Sequence, residues 1–167
     1  MKKVPQRLFA LLVLMCGALV FSSCAHAQPP AGEHTPTDLP ILAQWSGDYP
    51  VAQLDQLPEG QTTGQAGYLG TSAQFLRVWS VFKPGEKVPP VDFHANLVIF
   101  SRNIDFYNRI NIMKVTLNDG VADIIAMETR SARLIEDQVA MAMAVIPRAG
   151  LKAIRAGNER LEVASHE

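Results

Sequence analysis

Residues 109–129 read Arg109-Ile110-Asn111-Ile112-Met113-Lys114-Val115-Thr116-Leu117-Asn118-Asp119-Gly120-Val121-Ala122-Asp123-Ile124-Ile125-Ala126-Met127-Glu128-Thr129. Two runs rich in β-branched residues meet across Asn118-Asp119-Gly120, and Asp-Gly supplies the positive φ values that a tight hairpin turn requires. The segment therefore predicts an antiparallel hairpin. Its apolar phase slips between Ile112 and Met113, which predicts a bulge or burial on both faces.

Working outward, Asn96-Leu97-Val98-Ile99-Phe100 is a short apolar run between polar residues, the pattern of a central strand. Before it, Phe75, Val78, Trp79 and Phe82 recur at three and four residues, so Ser72 to Phe82 reads as a helix with one bulky face. Thr71 with Gln74 forms a capping-box pattern, with the Gln reaching back to the cap, and Pro84-Gly85 ends the helix. Beyond the hairpin, Val139 to Ile146 fits either a strand or a helix. The alternation of Val139, Met141, Met143 and Val145 with Ala140, Ala142 and Ala144 favours the strand. Leu151–Arg155 and Arg160–Val163 read as a last hairpin. Leu57–Gly70 carries too many glycines for a helix and reads as a loop holding a short strand near Tyr68. Trp45-Ser46-Gly47-Asp48-Tyr49-Pro50 reads as a turn between two aromatics. The expected fold is α+β: a mainly antiparallel β-sheet or sandwich with one amphipathic helix, about 72–82, packed on it.

The N-terminus has the three parts of a secretory signal. Lys2, Lys3 and Arg7 precede an uncharged run from Leu8 to Phe21, too short for a permanent membrane span. Two junctions compete. Ala25-His26-Ala27 suits ordinary cleavage before Gln28, whereas Phe21-Ser22-Ser23-Cys24 resembles the lipobox of bacterial lipoproteins, which implies lipidation of Cys24. In a Gram-negative cell, Ala25 after that cysteine implies the outer membrane. The expected organisation is a signal peptide over 1–23, a flexible tether over 24–44 rich in proline, one globular domain over 45–163 and a tail over 164–167. Three of the 15 Lys and Arg lie in the leader and all 16 Asp and Glu lie beyond it, so the mature chain is acidic. That balance, without a basic stripe, argues against nucleic acid and against direct binding to anionic lipid. Cys16 and Cys24 are the two cysteines, which leaves the domain with no thiol for a disulfide, a nucleophile or a metal.

The order of a Phe- and Trp-rich helix, a proline-containing link, Val91-Asp92-Phe93, an apolar strand, a polar segment and further hairpins resembles the PrcB-like domain of bacterial envelope proteins, over about Ser72 to Val163. In place of that family's Gly-Gly-Tyr element stands Asn103-Ile104-Asp105-Phe106-Tyr107. The resemblance implies a non-catalytic module that binds an envelope protein partner.

Catalytic patterns are thin. His94 and Asp92 would face the same way on an extended segment, but no nucleophile motif accompanies them. Ser80-Val81-Phe82-Lys83 matches Ser-x-x-Lys without the further elements of that enzyme class. Asp105, Asp119, Asp123 and Glu128 lack calcium-loop spacing, so neither a metal nor a cofactor is expected. Binding chemistry concentrates instead in Ser101 to Arg109 and Glu128 to Ser131, because Arg and Tyr offer forked hydrogen bonds and rigid amphipathic area. The candidate partner-binding residues are Arg102, Asn103, Tyr107, Asn108, Arg109 and Arg130. The plainer reading makes Arg102–Asp105 and Arg109–Glu128 ion pairs and puts Phe106 and Tyr107 in the core. The sequence thus points to a non-enzymatic, lipid-anchored envelope module; the alternatives are a periplasmic small-ligand carrier and a hydrolase of unrecognised type.

Overall fold

Hydrophobic patterning resolves into layers in the computed structural model, which describes residues 35–164. The leader, Cys24 and the 165–167 end of the tail lie outside the described residues. Nine strands are present among those residues: β1 (Thr37–Leu39), β2 (Ala43–Pro50), β3 (Ala66–Leu69), β4 (Asn96–Arg102), β5 (Ile110–Asn118), β6 (Val121–Glu128), β7 (Gln138–Pro147), β8 (Ala153–Ala156) and β9 (Glu159–Glu162). A 3-10 turn spans Val51–Gln56, and the helix α1 spans Ser72–Phe82. One sheet runs β1-β5-β6-β8-β9 and the other β2-β7-β4-β3. Every pairing is antiparallel except β6 with β8. Over the described residues the fold is α+β, a mainly antiparallel sandwich with a single α-helix packed on it.

The alternation in β7 determines the spacing of the layers. Ala140, Ala142 and Ala144 face the five-stranded sheet with Leu97 and Ile99 of β4, and meet Ile110, Ile112, Val115, Ile124 and Ile154. Small side chains on the central strand let the two sheets close on each other. The opposite face presents Val139, Met141, Met143, Val145, Val98 and Phe100 to Phe75, Val78, Trp79 and Phe82 of α1. Both faces of β7 and β4 are thereby covered, which is why these strands read as nearly continuous apolar runs.

The local signals act as their chemistry requires. Asp119 (φ 51°) and Gly120 (φ 86°) make the β5–β6 turn, and the register shifts between Ile112 and Lys114, leaving Met113 as the bulged residue. The Thr71 hydroxyl accepts from the Gln74 amide at 3.2 Å. Gln74 Oε1 accepts from Gly70, one residue before the cap, so the expected return to Thr71 is displaced by one position.

Two expectations need correction. Trp45 to Pro50 is strand, not turn, because Gly47 is used for close approach: a Cβ there would stand 3.0 Å from Lys83 Nζ and 3.3 Å from Phe82 Cε2 at the end of α1. The 24–44 tether also yields at its C-terminal end, since Thr37–Leu39 pairs with Val115–Leu117 and β2 begins at Ala43. Proline at 36 and 40 borders β1 without interrupting it.

Tyr49 gives a test of this core. Its side chain is fully buried and its hydroxyl has no hydrogen-bond partner among the described residues. Burial, helped by the Asp55 charge and opposed by Arg77, pushes the phenol up to about 12. An unfolded tyrosine ionises near pH ~10, so between about pH 10 and 12 the unfolded chain sheds a proton that the fold retains, and stability falls as pH rises through that window. Urea unfolding should show this alkaline loss reduced in Tyr49→Phe. The variant should also be about 1 kcal/mol more stable at pH 7, because it removes a buried, unsatisfied hydroxyl. A less stable variant would mean that the hydroxyl has a partner.

Candidate functional site

The β4–β5 connection and the N-terminal end of β5 place the polar cluster against the edge of the other sheet. Arg109 extends the hairpin by one pair: its carbonyl accepts from Thr129 N–H and its own N–H donates to Thr129 Oγ1, each at 3.0 Å. The chain enters this pair through Tyr107, whose N–H donates to the Arg133 carbonyl at 2.9 Å. The Tyr107 hydroxyl donates to Asp48 Oδ1 on β2 at 2.7 Å, and the Arg133 guanidinium lies over the ring, 5.0 Å from its centroid. The hydrogen bond to Asp48, with lesser help from burial and the Asp48 charge, raises the Tyr107 pKa against the opposing charges of Arg133 and Arg109. On the facing strand, the Ser46 hydroxyl donates to Asn111 Oδ1 at 2.6 Å.

These residues enclose a cleft of about 360 Å³ between β2 and the start of β5, lined by Ser46, Gly47, Asp48, Tyr107, Arg109, Ile110, Asn111 and Ala140. It opens there because β1 covers only the Val115–Leu117 part of β5. The walls carry one guanidinium, one tyrosine fixed by a carboxylate, and an amide and hydroxyl bonded to each other, a set suited to directional polar recognition. The chain matches none of the protein families, curated proteins or solved structures with which it was compared.

Of the six candidate residues, Tyr107 and Arg109 line the cleft. Asn108 lies in an adjoining hollow of about 160 Å³ with Gln65, Asn103, Asp105 and Glu128. Arg130 is exposed in the β6–β7 connection and does not line the cleft. Arg102 and Asn103 are each 3% exposed: Arg102 lines neither opening, and Asn103 reaches only the wall of the smaller hollow. Arg102 Nη2 donates to the Thr62 carbonyl at 2.6 Å, and Asn103 Nδ2 donates to the Asn108 carbonyl. Burial lowers the pKa of Arg102, with the Glu159 charge opposing. Both residues continue the strand pairing inward, Arg102 N–H to Gln65 and Asn103 N–H to Ala140, and that buries them.

The Arg102–Asp105 and Arg109–Glu128 ion pairs do not form. Asp105 accepts through its backbone from Ile135, and Glu128 Oε1 accepts weakly from Gln65 at 3.5 Å. Nor is Phe106 core: it is 43% exposed, beside Ile104 at 50%, and it bridges to Leu134 at 63%. Arg133, Asp48, Ser46 and Asn111 joined the site without a sequence signal, because each reaches it from a distant segment.

The residues of the catalytic patterns take part in the following bonds. Asp92 Oδ1 accepts from the His94 backbone at 2.9 Å, as an Asx turn does. Ser80 Oγ donates to the Arg77 carbonyl at 2.8 Å, while Lys83 Nζ donates to the Ser46 carbonyl at 2.9 Å. Asp123 binds Arg155 through both carboxylate oxygens. Among the described residues no group of three or more His, Cys, Asp and Glu gathers as a metal site, and no helix is long and apolar enough to cross a membrane.

Proposed function

We propose that this chain is a non-catalytic, exported lipoprotein module of the bacterial envelope, anchored through Cys24, that binds another envelope protein with the surface around Tyr107 and Arg109. The carrying observation is the cleft itself. An exposed arginine and a tyrosine locked by Asp48 and Arg133 stand on a rigid sandwich edge, with the apolar side chains of Ile104, Phe106 and Leu134 exposed on the same connections. Rigid aromatic and arginine anchors beside exposed apolar area are the composition of interface hot spots. The PrcB-like resemblance supports the same accessory role. A small-ligand carrier has less support, because the space beneath α1 is filled by Phe75, Trp79, Phe100, Met141 and Met143.

The test is affinity capture from the native envelope with the full chain and its variants, followed by titration of the recovered partner. Arg109→Ala and Tyr107→Ala should each weaken binding by about 2 kcal/mol or more, roughly 30-fold. The melting temperature should change little with Arg109→Ala, because that side chain is exposed. Undiminished capture by both variants would place the binding surface elsewhere.

A further inference from the structure

Backbone geometry on β2 carries a more specific statement about the partner. Just beyond the β2–β7 ladder, Val51 N–H donates to Asp137 O at 2.9 Å. Bonded pairs alternate along an antiparallel ladder, so the odd-numbered residues of β2 face β7. The N–H and C=O groups of Gln44, Ser46 and Asp48 therefore point away from the sheet, of which β2 is the edge. One of these groups is taken: Ser46 O accepts from Lys83 Nζ at 2.9 Å.

The other edges are closed or short. Along β3, the outward N–H groups of Ala66, Tyr68 and Gly70 donate to Glu159 Oε2 at 3.2 Å, Gln61 Oε1 at 2.6 Å and Gln74 Oε1 at 2.8 Å. In the second sheet the edges are β1, three residues long, and β9, four residues carrying Glu159, Arg160 and Glu162. Brevity, charge and side-chain capping are the usual defences of a sheet edge. Among the described residues, eight-residue β2 has little beyond Lys83.

A row of outward donors and acceptors repeating every two residues, about 7 Å, is complemented by another extended backbone. Charge narrows the choice. Arg109 lines the cleft that runs along Ser46 and Asp48, the Lys83 ammonium reaches the same strand from the end of α1, and the Asp48 carboxylate is engaged by Tyr107. We infer that β2 takes up an extended acidic segment of the partner protein as an added strand, with a carboxylate side chain reaching Arg109 in the cleft. This rests on the partner-binding reading and names the form and charge of what binds. A second copy fits less well, since two-fold pairing of β2 with itself sets the Lys83 and Arg109 charges of both copies against each other.

The probe is an acetylated, amidated hexapeptide of alternating valine and glutamate, titrated into the full chain with residue-resolved amide hydrogen exchange as the readout. The amides of Gln44, Ser46 and Asp48 should slow by at least tenfold, and a valine–lysine counterpart should leave them unchanged. Ser46→Pro removes an outward donor without touching the bonds to β7, and should abolish protection at Gln44 and Asp48. Unchanged exchange at saturating acidic peptide, or equal protection by the lysine peptide, overturns the inference. So does protection without peptide that grows with protein concentration, which would make a second copy the occupant. Native partner lost by Arg109→Ala but retained by Ser46→Pro rejects strand addition and leaves the Tyr107–Arg109 surface standing, whereas loss by both supports it. Should Ser46→Pro fail to fold, the two peptide arms on the unaltered chain decide alone.

Discussion

Replacing Trp79 by alanine should lower the stability of the domain by about 3–5 kcal/mol, the range for removing a buried aromatic side chain. Trp79 is 2% exposed at the centre of the helix–sheet layer. Its ring meets Trp45 edge-on at 5.1 Å between centroids, Phe75 at 5.5 Å and Phe82 at 6.2 Å, and Nε1 donates to the Glu86 carbonyl at 3.4 Å. Truncation removes dispersion contacts from all three rings, and the stiff β2 strand that carries Trp45 limits how far they can collapse into the space. The loss is a large fraction of the ~5–15 kcal/mol by which domains are stable. Equilibrium urea unfolding monitored by far-UV circular dichroism measures it. A loss under about 1 kcal/mol would contradict the packing of α1 on β7 and β4.

Gly67→Ala should be the second large loss, about 3 kcal/mol, although it adds a single methyl group. Gly67 lies opposite Phe100 in the β3–β4 register, and a Cβ would stand 2.1 Å from Phe100 Cζ and 2.3 Å from Gln61 Oε1. Phe100 is fully buried among Val98, Met141 and the rings of α1, so it cannot swing aside without disturbing its neighbours. Gln61 is held by accepting the Tyr68 amide, so moving it uncovers the β3 edge. Forcing volume into such a site costs typically ~1–3 kcal/mol, and the upper end applies where both neighbours are constrained. Gly60→Ala is the comparison, since a Cβ there meets nothing within 4 Å and only its positive φ (74°) resists. Equal losses from the two variants in the same urea assay would show that the Phe100 contact is not the cause.

Legibility followed the range of the interaction that sets each feature. The β5–β6 turn, the Met113 bulge, the span of α1 and the strand character of β7 are governed by φ preferences, capping and side-chain periodicity within a few residues, and all were readable. Gly47 was misread because glycine serves equally a turn and a close approach, and the group that approaches, Lys83, lies 36 residues away. The candidate site divided the same way. Tyr107 and Arg109, singled out by composition, line the cleft, but Arg102 and Asn103 carry the same polar signal and are buried.

By itself the sequence determined the α+β class, the helix and the main hairpins, together with the large–small alternation that separates the two faces of β7, because these depend on local conformational preference and on the two-residue period of a strand. Tertiary structure alone decided the strand orders, the parallel β6–β8 pair, the inward turn of Arg102 and Asn103, and the meeting of Asp48 with Tyr107 across 59 residues of chain. It also decided which edge stays open. Glu159, Gln61 and Gln74 cap β3 only because folding carries their side chains to it, and among the described residues no side chain is carried in the same way to the outward N–H groups of β2. The backbone offers the same donors and acceptors at nearly every residue, so which of them remain available is a property of the neighbours that packing supplies.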